Sequence, residues 1–283
     1  MLLRGFGVIA LAVGAVLCLL LDAFGGYSWL WLLPLLSLGT LVVLVLLAFL
    51  YLVLICQLVD YEKEQTHDAT HYRKVLELYI ESALPALRVR VKSTGLDKVP
   101  SDGRFLLVCN HCSNIDPVIL LGHFAGHQVS FISKKENHDL FLVGKAMHKL
   151  QCPLIDREND RAALKTILKS IQIIKEDRAS IGVFPEGYIH ADRKLHTFRA
   201  GVFKIAQKAQ VPIVVCTLTN TAHAIDNFMH LRPTDIKLSV LDVIPVEDIM
   251  GKTTVEISDR IYHMMAENLG PENVSQPETE ENP

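Results

Sequence analysis

Two short polar motifs, each directly after an apolar run, carry the residues best suited to chemistry. The run Phe105–Cys109 is followed by His111 and, five residues later, by Asp116. A second apolar run ends in Phe184-Pro185-Glu186-Gly187. A histidine with a nearby carboxylate can act as a general base whose ring is oriented by that carboxylate. The pair would let a substrate hydroxyl attack directly, so no nucleophilic side chain is required. The structural alternative is a strand-end histidine that hydrogen-bonds the backbone.

The spacing alone does not single out His111, because His230 and Asp235 repeat it. Position separates the two pairs. Asp116-Pro117 opens a predicted helix after a buried strand, and the ends of strands in an open α/β sheet are where ligands bind. His230 lies in a polar connection, so we interpret the second pair as structural.

Cysteines offer a competing chemistry. Cys109 and Cys112 form a C-x-x-C pattern, which is compatible with a redox dithiol, with half of a zinc site, or with Cys112 as the nucleophile of a thioesterase. No second Cys/His pair follows at zinc spacing, and we expect no metal. The cysteines mostly lie in or beside apolar runs, which indicates reduced, buried thiols.

The N-terminal segment 1–59 is too apolar for an ordinary globular core. It carries charge only at Arg4 and Asp22, and its two apolar runs, 5–21 and 27–59, are long enough to suggest helices in a membrane. We predict a membrane-anchoring helical hairpin that turns around residues 22–28. A signal peptide is the alternative, but no small-x-small cleavage site follows the first run. Basic residues flank both ends of the hairpin and are missing from its turn, which predicts a catalytic domain on the cytoplasmic side.

The remainder is predicted to form a helical stem at 60–84, a domain at 85–270 and a disordered acidic tail at 271–283. Short apolar runs alternate with amphipathic stretches, which favours an α/β fold with a mostly parallel sheet flanked by helices. The predicted strands are 87–92, 104–109, 128–133, 153–155, 180–184, 212–217 and 236–244. The predicted helices are 117–125, 137–150, 160–177, 198–209 and 253–268.

Charge is unevenly distributed along the chain. Residues 104–210 hold 16 basic and 10 acidic side chains, whereas 211–283 hold 4 and 12. A basic middle segment suits anionic lipid headgroups or a phosphorylated substrate. The excess is too small, and lacks the interleaved aromatic residues, to indicate nucleic-acid binding.

Over residues 88–245 the sequence resembles the glycerolipid acyltransferases, especially the 1-acylglycerol-3-phosphate acyltransferases. Four blocks carry the resemblance. The first is Asn110-His111-x-Ser113-x-x-Asp116, and the second runs from Ser133-Lys134-Lys135-Glu136 to Pro153-Leu154-Ile155-Asp156-Arg157. The third is Phe184-Pro185-Glu186-Gly187, continuing to Phe198-Arg199-Ala200-Gly201, and the fourth is Val211-Pro212-Ile213-Val214. The resemblance implies that His111 is the base and Asp116 its partner. It also implies that Glu186 and Gly187 help to bind a glycerol phosphate acceptor, with Arg157 and Lys134 on the phosphate.

The chain departs from the family pattern directly after Gly187. Family members usually continue with Thr-Arg-Ser, and here the residues are Tyr188-Ile189-His190. Ile189 thus replaces the arginine expected to contact phosphate. The candidate substitutes are Lys134, Arg157, Arg193, Lys194 and Arg199, of which we favour Arg199 because a phosphate needs several charge-assisted donors.

The resemblance predicts transfer of a fatty acyl group from acyl-CoA or acyl carrier protein to lysophosphatidic acid at a membrane, without a metal or organic cofactor. Three alternatives stay open. The acceptor could be glycerol-3-phosphate or a lysophospholipid, the protein could be a thioesterase that uses Cys112, or it could be a non-catalytic membrane adaptor.

Overall fold

The chain divides into two compact units, Met1–Glu64 and Gln65–Pro283. The computed structural model describes residues 2–21, 23–63, 65–67, 69–156 and 159–275. Each unit has its own packing.

The first unit consists of two apolar helices, α1 (Leu2–Leu20) and α2 (Trp29–Gln57), joined through a short turn at Ala23–Gly25. The helices approach closely at Gly14, because a Cβ there would collide with the hydroxyl of Ser37. Both are long and apolar enough to cross a membrane by length and composition. The predicted pair of N-terminal apolar helices is confirmed.

The second unit is an α/β domain. Its helices are α3 (Thr70–Ala86), α4 (Asp116–His123), α5 (Val143–Lys149), α6 (Asp160–Lys175), α7 (Lys204–Ala209), α8 (Ala224–Met229), α9 (Val246–Ile249) and α10 (Thr254–Leu269). Its strands are β1 (Val89–Thr94), β2 (Leu106–Cys109), β3 (Val129–Phe131), β4 (Ser133–Lys134), β5 (Leu154–Ile155), β6 (Ser180–Val183), β7 (Ile213–Thr219) and β8 (Thr234–Ile244).

Within the described residues, six strands form one sheet in the order β1-β8-β7-β2-β6-β3, and β4 pairs with β5 separately. The sheet is parallel except where β7 runs antiparallel to β8. The predicted α/β fold with a mostly parallel sheet is confirmed. Because β2 and β6 are parallel neighbours, with Val108 opposite Val183, their carboxyl ends meet at one edge. The motifs that follow these strands therefore share that edge.

Strand β2 lies in the middle of the sheet and is buried on both faces, as expected for a strand covered by helices on each side. Leu107 and Cys109 join a cluster with residues of α3 and α4, such as Ile80 and Ile119. Leu106 and Val108 face the opposite cluster, which includes residues of α6 and α10. The catalytic candidate His111 thus emerges from the most deeply packed strand of the domain.

Every predicted strand corresponds to an observed one, but several other predictions differ from the structure. The predicted helix 137–150 is a 3₁₀ turn at Lys135–Asp139 followed by α5, and the short elements β4, α8 and α9 were not predicted. The stem 60–84 is not continuously helical. Helix α3 begins only at Thr70 and packs Ile80 and Leu84 into the domain core.

The predicted disordered tail also needs correction in its first part. Residues 271–275 are ordered, because Leu195 accepts a backbone hydrogen bond from Ser275 and donates one to Asn273. Residues 276–283 lie outside the described part of the chain.

Candidate active site

His111 and Asp116 are held together as the sequence predicts. Nδ1 of His111 lies 2.9 Å from Oδ2 of Asp116. The aspartate is fully buried, and the histidine side chain retains 14 % exposure. The same carboxylate oxygen accepts the backbone N–H groups of Cys112 and Ser113, each at 2.8 Å. Asp116 thereby fixes both the imidazole ring and the turn that carries it.

The second His–Asp pair, His230 and Asp235, makes different contacts. Nδ1 of His230 contacts the carbonyl oxygen of Asp226, four residues earlier, at 2.8 Å. Asp235 instead lies 3.9 Å from Arg90 across the parallel pair β1–β8. The same sequence spacing therefore gives no His–Asp contact here.

Asn110 positions the end of β2, a role that the sequence analysis missed. Its amide nitrogen donates to the carbonyl of Leu218 at 2.9 Å, and its amide oxygen accepts the Leu218 N–H at 2.8 Å. The side chain is buried and ties the residue before His111 to strand β7. A polar residue directly after a fully apolar strand was the available signal.

Aromatic stacking orients the imidazole from its other side. The ring of His111 stacks on Phe184, with centroids 4.0 Å apart and planes inclined by 16°. Phe184 stacks in turn on Phe131, which ends β3. Three neighbouring strands of the sheet thus contribute to the placement of one histidine.

Glu186 braces the site through backbone groups. Its Oε1 accepts the N–H of His111 at 2.7 Å, and its Oε2 accepts the N–H of His196 at 3.0 Å. Burial raises the pKa of Glu186 to about 8, while these two N–H donors act in the opposite direction. The carboxyl group connects the turn that carries His111, here called the catalytic turn, to the loop that contains His196. The sequence analysis predicted a role in acceptor binding and did not foresee this bracing contact.

Cys112 has the environment of a protonated thiol. Burial, with the nearby Asp116 and Glu186 carboxylates, raises the pKa of Cys112 to about 12. A nucleophilic cysteine requires the thiolate, which a lowered pKa supplies. The described residues contain no cluster of metal-binding side chains either. The geometry therefore favours the imidazole over the thiol as the reacting group.

Gly187 and Arg199 lie side by side. Gly187 adopts a φ of +82°, and a Cβ at this position would lie 3.0 Å from Nε of Arg199. The guanidinium donates to the hydroxyl of Tyr188 at 2.7 Å and lies over its ring, 5.0 Å from the centroid. The side chain of Arg199 is exposed. The preferred substitute for the missing motif arginine is therefore adjacent to the Pro-Glu-Gly turn.

Arg193 reaches the catalytic turn more closely than the sequence suggested. Its guanidinium donates to the carbonyl of Cys112 at 3.0 Å, and its own carbonyl accepts from the Cys112 thiol at 3.2 Å. The contact places a positive charge one residue from His111.

Lys134 lies on β4, where it faces Ile155 of β5. Its ammonium forms an ion pair with Glu136 at 3.0 Å, and both side chains are half exposed or more. No contact of Lys134 with His111, Asp116 or Glu186 occurs in the described structure. Arg157 lies outside the described residues.

The arrangement can perform general-base catalysis at a sheet edge. Because a carboxylate only accepts hydrogen bonds, Nδ1 of His111 donates to Asp116 and the lone pair remains on Nε2. An exposed cation, Arg199, lies beside the neighbouring strand end. Such a site is suited to deprotonating a hydroxyl on a substrate that also carries an anionic group.

Comparison with known proteins relates the sequence to acyltransferases. Residues 90–219 match the family described as Acyltransferase. A probable 1-acyl-sn-glycerol-3-phosphate acyltransferase of Mycoplasma pneumoniae is 33 % identical over 171 residues, which cover 59 % of this chain and 61 % of that protein. A 1-acyl-sn-glycerol-3-phosphate acyltransferase of Cocos nucifera is 30 % identical over 170 residues, 60 % of this chain and 55 % of that protein. The chain therefore aligns with less than two thirds of the length of these relatives.

A solved structure has the same fold. The crystal structure of the 1-acyl-sn-glycerophosphate (LPA) acyltransferase PlsC from Thermotoga maritima superimposes with a TM-score of 0.61. The match covers 79 % of this chain and 90 % of that one at 22 % identity. At this identity the likeness concerns the fold.

Proposed function

We propose that this chain, whose residues 90–219 match the Acyltransferase family, transfers a fatty acyl group from a thioester to the free hydroxyl of a 1-acylglycerol-3-phosphate, giving phosphatidic acid. The donor is acyl-CoA or an acyl carrier protein. The single observation that carries the proposal is the contact of 2.9 Å between His111 and Asp116 at the edge where β2 and β6 end. The reaction needs a base for a hydroxyl, and this pair provides one.

The proposed chemical step uses His111 twice. Nε2 removes the proton of the acceptor hydroxyl while the hydroxyl oxygen bonds to the thioester carbonyl carbon. When the carbon–sulfur bond then breaks, the imidazolium returns the proton to the thiolate leaving group. Asp116 holds the ring and stabilises the imidazolium between the two transfers. His111 thus ends the reaction in the protonation state in which it began.

Arg199 is proposed to bind the acceptor phosphate. It is exposed and lies against Gly187, next to Glu186, which bonds the His111 backbone. Arg193, which contacts Cys112, adds a second positive charge at this edge. Lys134 and Arg157 remain predicted phosphate ligands on the basis of the family resemblance. A phosphate needs several such donors, and charge-assisted bonds to arginine are the strongest available.

The substrates and the N-terminal helices favour a reaction at a bilayer, with the domain on the cytoplasmic side. The acceptor and the product both carry an acyl chain. Transfer of each buried methylene into water costs about 0.8 kcal/mol, so a site at the membrane avoids a large penalty. We propose that α1 and α2 provide the anchor.

The test uses the full chain in lipid nanodiscs with labelled acyl-CoA or acyl carrier protein and a panel of acceptors. The panel comprises lysophosphatidic acid, glycerol-3-phosphate and a lysophospholipid, because Ile189 stands where the family has an arginine expected to contact phosphate. Label in phosphatidic acid is the expected product. Label found only in another acceptor would reject the assigned substrate, and label found only in free fatty acid would indicate a thioesterase.

Variants assign the base in the same assay. His111→Ala should lower kcat by about 10³-fold or more, as loss of a catalytic base does. Cys112→Ala should keep most of the activity, because the thiol is protonated near neutral pH. His230→Ala is the matched control, since it removes a histidine with the same spacing to an aspartate. Loss of activity in the Cys112 variant but not in the His111 variant would reject the mechanism.

A further inference from the structure

The segment Leu140–Val143 exposes apolar side chains outside the catalytic site. Leu140, Phe141 and Val143 are 52 %, 64 % and 48 % exposed. They lie between the 3₁₀ turn Lys135–Asp139 and helix α5. Single exposed apolar residues are ordinary, but three within four positions of one loop form a local apolar surface.

The backbone of this segment is strained at Leu142. Leu142 has φ +64° and ψ −46°, and the N–H of Val143 donates to the carbonyl of Phe141 at 2.8 Å. This is a γ-turn of the rare, strained type, centred on a residue that normally avoids positive φ. Strained backbone of this kind clusters at functional positions.

The flanking charge is mainly positive. Residues 134–149 contain the lysines Lys134, Lys135, Lys145 and Lys149, of which Lys134 is paired with Glu136 and Lys149 donates to Gln65. They contain only two acidic residues, Glu136 and Asp139. An apolar tip flanked by lysines is typical of segments that enter the interface of an anionic bilayer, where the tip is buried among acyl chains and the lysines reach the headgroups.

The chain reaches this segment from the sheet edge that carries His111, here called the catalytic edge. Strand β3 runs parallel to β6, with Phe131 opposite Gly182, and therefore ends at the same edge as β6 and β2. The ring of Phe131 stacks on Phe184, which in turn stacks on His111. From the end of β3 the chain continues through β4 and the 3₁₀ turn Lys135–Asp139 to residues 140–143.

We propose that Leu140–Val143 forms a membrane-docking loop of the catalytic domain, distinct from α1 and α2, which inserts into the interface of an anionic bilayer. Docking orients the catalytic edge toward lipid, so that an acceptor reaches His111 without leaving the membrane. The partner is a bilayer with anionic headgroups. The loop goes beyond the proposed function, because its insertion does not depend on which acyl acceptor the enzyme uses.

Tryptophan fluorescence tests the insertion directly. In the full chain the two native tryptophans, Trp29 and Trp31, are replaced by phenylalanine, and Phe141→Trp is introduced. The matched control carries Val255→Trp instead, on α10, where the side chain is 56 % exposed. Both variants are reconstituted in bilayers of phosphatidylcholine and phosphatidylglycerol with and without brominated acyl chains.

Brominated lipid should quench the tryptophan at 141 at least about threefold more than the one at 255. The difference should shrink when phosphatidylglycerol is omitted or salt is raised, since surface charge is screened within about 10 Å at 0.1 M salt. Equal quenching at both positions would overturn the proposal. Absence of quenching at 141, together with a spectral shift on adding acyl carrier protein, would overturn it in favour of a protein partner.

A kinetic experiment provides a second test. Phe141→Ser changes an exposed side chain and should leave folding intact. We expect about a tenfold loss of rate with a long-chain acceptor embedded in the bilayer, the factor that corresponds to losing most of one buried phenylalanine. The rate with a short-chain, water-soluble acceptor should stay unchanged. Equal losses with both acceptors would show that Phe141 acts on the active site rather than on docking.

Discussion

Replacing Glu186 with glutamine tests how the catalytic turn is braced. Glu186 is only 3 % exposed, and burial raises its pKa from 4.5 to about 8. A carboxyl group whose pKa is higher in the folded state binds its proton more tightly there. Its contribution to stability is fully present below pH 4.5 and is lost as the pH rises through about 8. At about 1.4 kcal/mol for each pH unit between the two values, the wild-type domain should lose about 5 kcal/mol over that range.

The assay is the free energy of unfolding of the full chain in detergent micelles, measured with denaturant at pH 5 and pH 9. Glutamine is uncharged at both pH values, so Glu186→Gln should lack this loss and become more stable than the wild type at pH 9. Other titrating groups are common to both proteins and cancel. Parallel pH dependence in the two proteins would refute the assignment of a raised pKa to Glu186.

The same variant should be less active even where it is more stable. A glutamine side chain offers one acceptor oxygen, whereas Glu186 offers separate oxygens to the N–H groups of His111 and His196. One of these N–H groups loses its acceptor, at a cost of about 1–3 kcal/mol. If the loss falls on the catalytic turn, kcat should decrease by about tenfold or more. Unchanged kcat at pH 9 would show that the brace does not position the base.

Two further substitutions address the cation beside the motif. Arg199→Ala should raise KM for phosphorylated acceptors about 10- to 100-fold, which corresponds to the loss of one charge-assisted hydrogen bond. KM for a neutral monoacylglycerol should stay unchanged. Equal effects on both acceptors would show that Arg199 is not a phosphate ligand. Gly187→Ala should lower the free energy of unfolding by about 1–3 kcal/mol, because φ is +82° and the new Cβ would crowd Nε of Arg199. A melting temperature equal to that of the wild type would contradict the Gly187 prediction.

Most strands were predictable because they contain short apolar runs bounded by turn residues. Strand β2 is continuously apolar, as a strand buried on both faces must be, and its boundaries were misjudged by only two residues at the start. The misses are elements too short for periodicity to detect. Strand β4 has two residues, α9 has four, and helix 137–150 is interrupted by the strained turn at Leu142, which no pattern of residue types indicates.

Residue types predicted which side chains would lie close together, but not all of their hydrogen-bond partners. His111 and Asp116 were paired correctly because one lies at a strand end and the other opens a helix, which fixes their separation. Glu186 was selected because it also follows the end of a strand. Its partners are backbone N–H groups, which residue types do not predict because nearly every residue has one. The positioning role of Asn110 was not predicted, because its bonds to Leu218 depend on β7 being adjacent to β2.

The departure from the family pattern at Ile189 has a structural counterpart at Arg199. The backbone N–H of Arg199 donates to the carbonyl of Pro185 at 2.8 Å, which returns the chain to the Pro-Glu-Gly turn after a loop. Gly187 has no side chain to block the guanidinium, and Tyr188 receives it through both its hydroxyl and its ring face. Tyrosine and arginine therefore form a pair that holds a cation next to Gly187, although the motif arginine is missing. Because Tyr188 fixes the guanidinium in advance, the proposed phosphate ligand is preorganised and would lose less side-chain entropy on binding.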